Sequence, residues 1–257
     1  MANDRVVDLT GVHNFRDYGG YAVSGAGSVR RGVLWRSGQH FEASDDDLRR
    51  IESISIAHVF DLRSDRERAS HPCRRPAGFE AQIHTVPDAA ANQAPHVSSA
   101  RRDPETTRAN MVRSYAGMPY RPLLVAMVRN IIARLAAGDG PSLVNCMAGK
   151  DRTGFAVAMV HHALGVHYDD IVSDYLLTNT AGNVEERIAA GLRSITGLVG
   201  DIEPDALRVL MSVEPEYLAT AWQAMQVSHG SVDAYQADML GVDDALRDRL
   251  RAALIEG

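Results

Sequence analysis

The sequence predicts an α/β protein whose central, mostly parallel sheet is flanked by helices and followed by a helical C-terminal part. Short apolar runs at 57–60 and 142–144 have the length and composition of buried strands. An amphipathic pattern over 123–135 predicts a helix just before the second strand, and only helical patterns follow from 155 onward. With 257 residues, 45% of them hydrophobic, the chain can bury a large core, and we expect a single domain over 1–257.

The N-terminal part combines turns with one well-marked helix start. Glycine-rich turn signals within 11–37 separate short runs and predict turns and a hairpin. Ser44 is followed by three aspartates, a pattern typical of a helix N-cap. We expect Leu48 and Ile51 on the inner face of that helix.

A further strand and a long polar stretch come next. Phe79, Ala81 and Ile83 alternate with polar residues, which predicts a strand after the one at 57–60. The stretch 88–107 is rich in Ala, Ser, Asn, Pro and Arg. It is either a mobile lid beside a site or a plain disordered loop, and we expect it to be mobile.

The chain beyond 155 is predicted to be helical throughout. Prolines at 204 and 215 occupy probable first turns of helices, where proline is favoured, and paired aspartates at 169–170 open another helix. Two further helices are indicated by apolar stripes at i, i+4 spacing, namely Val184, Ile188, Leu192 and Ile195, and then Leu246, Leu250 and Leu254.

The stretch 144–154 connects the strand at 142–144 to the apolar run 155–160, which is too apolar all round for a surface helix. In a strand, tight loop and buried helix, the backbone N–H groups of the loop and of the helix start can surround an anion. Gly149 and Gly154 permit the turn and the close approach of backbone to ligand. The geometry predicts a site for a phosphate group.

Cys146 and Arg152 are separated by five residues, so a loop around one tetrahedral anion can bring both to it. Arginine suits the two-pronged binding of phosphate oxygens, and the same positive environment favours the nucleophilic thiolate. Thr153 could donate a hydrogen bond to the sulfur when it leaves. Considered alone, Cys146 has the alternative interpretation of a small buried hydrophobic residue. The phosphate site is favoured by the combination, at this spacing, of Cys, Gly, Lys, Asp, Arg and Thr.

Other kinds of site fit less well. A nucleotide-binding P-loop requires Gly where Val144 stands and Ser or Thr where Asp151 stands. A metal site is disfavoured because the only cysteines are Cys73 and Cys146, and we expect neither metal nor cofactor. Lys150 is the only lysine in the 257 residues, and we expect it to face phosphate oxygens or a second anionic group of the substrate.

Composition limits partners and location. The net charge of −6, with acidic and basic residues interspersed, provides no basic stripe for nucleic acid. The N-terminus lacks the apolar segment of a signal peptide, and no apolar run approaches the roughly 20 residues of a membrane span, so we expect no stable membrane insertion. Two cysteines form no disulfide framework, and a nucleophilic thiol needs a reducing compartment. These observations predict the cytoplasm, with export without a signal peptide as the alternative.

The stretch 145–154 resembles the H-C-x-A-G-K-D-R-T-G signature of the bacterial tyrosine phosphatases typified by the mycobacterial secreted tyrosine phosphatase B. This family lies within the cysteine-dependent protein tyrosine phosphatase superfamily. Further blocks are similar to the family in order along the chain, at 14–20, 31–37, 61–64, 174–176 and 216–218. One position departs from the signature, because Asn145 stands where the family has histidine.

The resemblance implies a protein tyrosine phosphatase-like fold and hydrolysis of phosphotyrosine in proteins or peptides, with phosphoserine, phosphothreonine or phosphoinositides as further substrates in some members. It also implies that Asp151, inside the loop, is the general acid. Asp61 is the second choice and Asp88 the third. Helices in the C-terminal region can fold over the active site in this family, and 182–200 is the candidate lid.

The predicted mechanism has two steps, with Cys146 as the nucleophile. Backbone N–H groups of 147–152, together with the Arg152 guanidinium, would stabilise the charge that develops on the phosphoryl group. The substrate-binding residues of this loop are expected to be Met147, Ala148, Gly149, Lys150 and Thr153. The acid protonates the leaving phenolate and then, as a base, activates water to hydrolyse the cysteinyl-phosphate.

Residues outside the loop are open to two interpretations. Asp61 and Arg63 follow a strand of the sheet, where ligands commonly bind, but a buried aspartate that braces a loop fits equally well. Arg16 and Asp17 are interpreted as a structural ion pair.

Three other functions are compatible with parts of the pattern. One is a phosphoinositide or inositol phosphate phosphatase, since Lys150 resembles the extra cation of lipid-directed members. The second is a non-catalytic phosphate-binding module in which Asn145 has left Cys146 protonated. The third, a sulfurtransferase, is disfavoured by Asp151 and by the cations on either side of it.

Overall fold

The computed structural model describes residues 4–25, 27–87, 103–183, 185 and 203–257. Its central sheet contains five strands in the order β1-β4-β7-β5-β6. β1 is antiparallel to β4, and the other neighbouring pairs are parallel. The mostly parallel sheet predicted from the sequence is therefore confirmed. The strands are β1 (Arg16–Asp17), β4 (Leu34–Ser37), β5 (His58–Asp61), β6 (Gln82–His84) and β7 (Ser142–Asn145).

A second, antiparallel sheet joins the two ends of the chain. β2 (Ala22–Val23) and β3 (Gly27–Val29) form the hairpin that the glycine-rich segment predicts. β8 (Ile255–Glu256) pairs with β3, with Val29 opposite Ile255. This last strand was not predicted, because two residues carry no periodicity.

Helices cover both sides of the sheet and form the C-terminal part up to β8 as far as its residues are described. They are α1 (Asp45–Glu52), α2 (Asp65–Ser70), α3 (Pro104–Ala116), α4 (Pro122–Leu135), α5 (Asp151–Leu164), α6 (Tyr168–Leu176), α7 (Thr178–Ala181), α8 (Pro204–Met211), α9 (Pro215–His229), α10 (Val232–Tyr235) and α11 (Asp244–Leu254). A 3₁₀ turn at Met118–Tyr120 and a π-helical turn at Gln236–Leu240 connect some of them.

Alternating side chains of the central strands supply two separate cores. Val59 and Leu143 pack with residues of α1 on one face of the sheet. Phe60 and Val144 pack on the other face with residues of α4 and α5. Because successive side chains of a strand point to opposite faces, each central strand contributes to both cores. Burial on both faces explains why these strands are continuous apolar runs.

The local signals read from the sequence are confirmed at several helix starts. Ser44 forms a capping box with Asp47, and both Leu48 and Ile51 are buried. The prolines at 204 and 215 begin their helices. α5 is buried on nearly all sides, as its apolar composition predicts, and ends at Gly165 with a left-handed φ of 89°.

The strand predicted from Phe79, Ala81 and Ile83 is shorter than the alternation suggests. It covers only Gln82–His84, at the edge of the sheet. Ile83 is 50% exposed, and His84 is the buried residue of the strand. The alternation predicts a strand here but not which of its residues are buried, because an edge strand has one neighbour and is not covered along its whole length.

Some predicted features lie outside the described residues. They include Asp88, most of the polar stretch 88–107, and the candidate lid except for Gly182, Asn183 and Glu185. Among the parts of the chain that are described, no helix combines the length and the hydropathy needed to cross a membrane.

Candidate active site

The loop between β7 and α5 is held by hydrogen bonds to its carbonyl oxygens. Asn145 O accepts from Leu62 N at 2.8 Å, and Met147 O accepts from Gln39 N at 3.1 Å. Gly149 O accepts from Asn14 Nδ2 at 2.7 Å. These donors belong to segments that surround the loop, so the three carbonyl groups point outward.

Outward carbonyls place the following N–H groups on the inner side, because the C=O and N–H of a trans peptide point in opposite directions. No cis peptide occurs in the described chain. Within those same residues, the N–H groups of Met147 to Lys150 donate no hydrogen bond. Cys146, which is 2% exposed, lies just before these four residues, and the first turn of α5 follows them. The loop is therefore a concave set of donors suited to an anion.

Gly149 is required by the way the loop packs on the end of β4. Its φ is 64°, a left-handed value that other residues rarely adopt. A Cβ atom there would lie 2.4 Å from the carbonyl carbon of Ser37 and 2.5 Å from Gly38 N. The peptide between Ser37 and Gly38 leaves no room for a side chain, so only glycine allows the loop to turn at this point.

Arg152 is anchored by Glu67, a residue that the sequence analysis did not identify. Arg152 Nη1 and Nη2 donate to the two Glu67 carboxylate oxygens at 2.7 Å each, and Nη1 also donates to Leu62 O at 3.1 Å. A guanidinium has five N–H donors, so these bonds leave Nε–H and one Nη2–H. Arg152 can therefore keep its carboxylate partner and still bind two phosphate oxygens.

The ion pair stabilises the charge on both partners. Burial raises the pKa of Glu67, but the hydrogen bonds and charge of Arg152 outweigh it and lower the value to about 2. Burial lowers the pKa of Arg152, whereas Glu67 and the nearby Cys146 raise it by more. Glu67 also accepts from Ser64 N at 2.8 Å, in the capping box of α2. One side chain thus caps α2 and holds the arginine.

Lys150 and Asp151 pair with each other at the start of α5. Lys150 Nζ donates to Asp151 Oδ1 at 2.7 Å, and the lysine side chain is only 4% exposed. Tyr115 Oη donates to the same oxygen at 2.7 Å and receives a hydrogen bond from Tyr175 Oη at 2.7 Å. The single lysine therefore contacts the candidate acid in this structure.

Asp61 and Arg63 lie beside the loop, paired with each other. Arg63 Nε and Nη2 donate to the two Asp61 oxygens at 2.8 and 2.6 Å, and both side chains are buried. Asn145 Nδ2 is 3.4 Å from Asp61 Oδ1, and Arg63 Nη2 is 3.1 Å from Cys73 Sγ. This arrangement favours the interpretation in which Asp61 braces the loop.

A buried cluster of two arginines and one aspartate supports the loop from behind. Arg36 Nη2 donates to Gly149 O at 3.1 Å, and Arg36 Nη1 donates to Asp174 Oδ2 at 2.5 Å. Arg16 Nε is 3.4 Å from Asp174 Oδ1. Burial raises the pKa of Asp174, but the charges of the two arginines lower it to about 2. The cluster links β1, β4 and α6 to the phosphate loop.

The predicted ion pair between Arg16 and Asp17 was wrong. Arg16 pairs with Asp174, whereas Asp17 lies 3.4 Å from Arg31 Nε and accepts from Gly19 N and Gly32 N at 2.7 Å each. Adjacent residues of a strand point to opposite faces, so the side chains of Arg16 and Asp17 do not pair with each other. Both remain structural groups, as the sequence analysis expected.

Thr153 Oγ1 is fully buried and has no hydrogen-bond partner within the described residues. The structure shows no bond between this hydroxyl and the sulfur of Cys146. A hydrogen bond from Thr153 to the sulfur when charge develops there remains a prediction.

Five residues near the loop were not identified as functional from the sequence: Asn14, Glu67, Tyr115, Arg121 and Asp174. Glu67 carried a local signal, because Ser64 three residues earlier completes a capping-box pattern. Asn14 and Asp174 lie in the blocks 14–20 and 174–176 that are similar to the family, but nothing in those blocks indicated their roles. Arg121 donates to Ser114 O and Oγ, and burial together with the charge of Arg152 lowers its pKa. It is therefore a further cation close to Arg152.

Comparison with known proteins agrees with this geometry. The model of the tyrosine phosphatase family matches residues 7–256. The chain is 32% identical over 279 residues to the triple specificity protein phosphatase PtpB of Mycobacterium tuberculosis, covering 97% of this chain and 99% of that protein. It is 34% identical over 241 residues to a Cupriavidus necator protein named as a tyrosine-protein phosphatase, covering 91% and 84%.

Among solved structures, that of Pseudomonas aeruginosa TpbA is 17% identical, with a TM-score of 0.35 over 70% of this chain and 86% of that chain. The family match and the two sequence relatives span nearly the full length described here. The chain therefore belongs to the tyrosine phosphatase family.

Proposed function

We propose that the chain hydrolyses phosphotyrosine monoesters through a cysteinyl-phosphate formed on Cys146. The observation that carries the proposal is the row of N–H groups from Met147 to Lys150, which donate no hydrogen bond within the described chain. Two of them, those of Ala148 and Lys150, follow outward carbonyl groups and therefore point inward. Four amide donors and one guanidinium around a buried thiol match the charge and shape of a phosphoryl group in transfer.

In the first step, Cys146 Sγ attacks phosphorus in line, and the P–S bond forms as the P–O bond to the phenol breaks. The loop N–H groups and the free edge of Arg152 stabilise the equatorial oxygens. Asp151 donates its proton to the leaving oxygen. In the second step Asp151 accepts a proton from water as the water attacks phosphorus, which releases phosphate and restores the thiolate.

The substrate that we propose is phosphotyrosine in a protein or peptide, with phosphoserine and phosphothreonine as further substrates. The name of the M. tuberculosis relative, a triple specificity phosphatase, supports this breadth. A phosphoinositide phosphatase is the second candidate. The pairing of Lys150 with Asp151 supports a role for this lysine at the acid rather than at a second phosphate group.

We also propose that the protein acts in the cytoplasm. Both cysteines are free thiols, and the reaction needs Cys146 reduced. A reducing compartment meets that requirement.

The test is hydrolysis of para-nitrophenyl phosphate and of a phosphotyrosine peptide. Cys146→Ser and Arg152→Ala should abolish turnover, whereas Cys73→Ser, the matched control for a cysteine outside the loop, should retain it. Retained activity in Cys146→Ser would exclude the covalent mechanism. Absence of turnover in the wild type, together with tight phosphate binding, would leave only a phosphate-binding module.

Asp151→Asn and Asp61→Asn separate the two candidate acids. We expect Asp151→Asn to remove the high-pH decline of kcat/KM and Asp61→Asn to leave it in place. The reverse result would assign the acid to Asp61. Comparing turnover of the peptide with that of a short-chain phosphatidylinositol phosphate decides between the two substrate classes.

A further inference from the structure

The carboxylate of Asp151 is held by a chain of hydrogen bonds from two helices distant in sequence. Tyr115 of α3 donates to Asp151 Oδ1, and Tyr175 of α6 donates to Tyr115, each over 2.7 Å. Lys150 Nζ donates to the same Oδ1 at 2.7 Å. One oxygen of the candidate acid therefore receives two strong donors.

The two tyrosines form a fixed donor pair rather than an adaptable surface contact. Tyr115 is 0% exposed and Tyr175 is 1% exposed, and their rings meet edge to face with centroids 6.3 Å apart. The Tyr217 ring lies tilted against Tyr115 at 5.5 Å. Burial, and after it the charge of Asp151, raises the pKa of Tyr115 well above its usual value. The hydroxyl thus stays protonated and can only donate to the carboxylate.

Other ionisable groups surround Asp151 on every element that packs against it. They are Lys150 and Arg152 on its own segment, Tyr115 on α3, Arg121 before α4, Tyr175 on α6 and Tyr217 on α9. The three cations favour the charged carboxylate by their charge, and Lys150 and Tyr115 donate hydrogen bonds to its Oδ1.

We propose that Tyr115 is a positioning residue for the general acid: held by Tyr175, it fixes Asp151 by Oδ1 so that Oδ2 carries the catalytic proton. This inference rests on the proposed function. A carboxyl oxygen that accepts two hydrogen bonds is a poor site for a proton, so the proton resides on the other oxygen. During the first step it passes from Oδ2 to the phenolate oxygen as the P–O bond breaks and the P–S bond forms.

The test compares Tyr115→Phe with the wild type through the pH dependence of kcat/KM, using phenyl phosphate and para-nitrophenyl phosphate. Loss of a donor favours the protonated carboxyl, so the high-pH limb should move upward by about one pH unit. Phenyl phosphate has the poorer leaving group and depends more on the acid. Its kcat/KM at the optimum should fall about tenfold, and that of para-nitrophenyl phosphate by less than about threefold.

Tyr217→Phe is the matched control. Tyr217 packs on Tyr115 with ring centroids 5.5 Å apart, but its buried hydroxyl has no hydrogen-bond partner within the described chain. This variant should leave the high-pH limb of kcat/KM at the same pH as in the wild type. Tyr175→Phe keeps the bond from Tyr115 to Asp151 and removes the donor behind it, so its limb should move in the same direction by a smaller amount.

The outcomes separate the inference from the proposed function. An inactive wild type would refute the proposed function and the inference with it. The inference alone would be overturned if the wild type is active but Tyr115→Phe leaves the high-pH limb unchanged. It would also be overturned if Tyr115→Phe lowers kcat/KM equally for the two substrates. If Tyr115→Phe does not fold, the pH profile of Tyr175→Phe takes its place. A high-pH limb of kcat/KM that does not move in Tyr175→Phe would also overturn the inference.

Discussion

Replacing Glu67 with glutamine tests how strongly the phosphate-binding arginine is anchored. Glutamine also serves at the third position of a capping box, so the start of α2 should keep its cap. The change removes the negative charge that Arg152 meets at 2.7 Å through both of its terminal nitrogens. Glu67→Gln therefore isolates the ion pair from the local helix structure.

The expected loss of stability follows from the pKa of Glu67, lowered from 4.5 to about 2. A shift of this size corresponds to roughly 3 kcal/mol in the free energy of unfolding at neutral pH. The two side chains are 22% and 27% exposed, and solvent screening reduces the value to about 2 kcal/mol. We expect kcat/KM to fall about 10- to 100-fold as well, because Arg152 loses its fixed orientation.

The measurement is urea unfolding of both proteins at several pH values, beside steady-state kinetics. Because the folded pKa of Glu67 is lowered, its contribution is present above about pH 4.5 and disappears as the pH falls through about 2. The control is Asp65→Asn, which changes an exposed carboxylate of the same helix and should cost about 0.5 kcal/mol or less. A difference from wild type that stayed constant down to pH 2, or that only equalled the control, would refute the reasoning.

Three further changes test the support of the loop. Asp174→Asn should lower the unfolding free energy by about 3–5 kcal/mol in chemical denaturation, since it leaves two buried guanidinium groups without a charged partner; a loss below about 1 kcal/mol would contradict this. Gly149→Ala should abolish phosphate binding in calorimetry, because its Cβ would overlap backbone atoms at 2.4 Å, and unchanged binding would mean that the loop can relax. Asn145→His should shift the iodoacetate alkylation profile of Cys146 to lower pH, because an imidazolium facing Asp61 adds positive charge near the sulfur; an unmoved or higher midpoint would contradict it.

Features determined by residues close in sequence were predictable. The strand, the loop and the buried helix around Cys146 follow from the consecutive positions 142–160, and the capped start of α1 follows from four. The edge strand was harder, since the alternation of Ile83 with its neighbours does not reveal which side of an edge strand is covered. Local periodicity therefore established the fold class better than it established burial.

The partners that orient the site were not predictable, because they lie far away along the chain. Glu67 is 85 positions from Arg152, and Arg36 is 138 positions from Asp174. Tyr115 reaches Asp151 over 36 positions, from a helix that carries no motif. Single arginines and acidic residues are abundant in this sequence, and nothing in their local pattern indicates which pairs the fold brings together.

The division of donors on Arg152 explains why the loop motif alone is an incomplete site. The terminal nitrogens bind Glu67 and Leu62 O, which fixes the plane of the guanidinium. The edge formed by Nε–H and the remaining Nη2–H is then available to two phosphate oxygens in one orientation. Lysine offers no such division, because its three donors share one nitrogen. The arginine thus binds substrate and scaffold at once only because a carboxylate from the segment after β5 holds it in place.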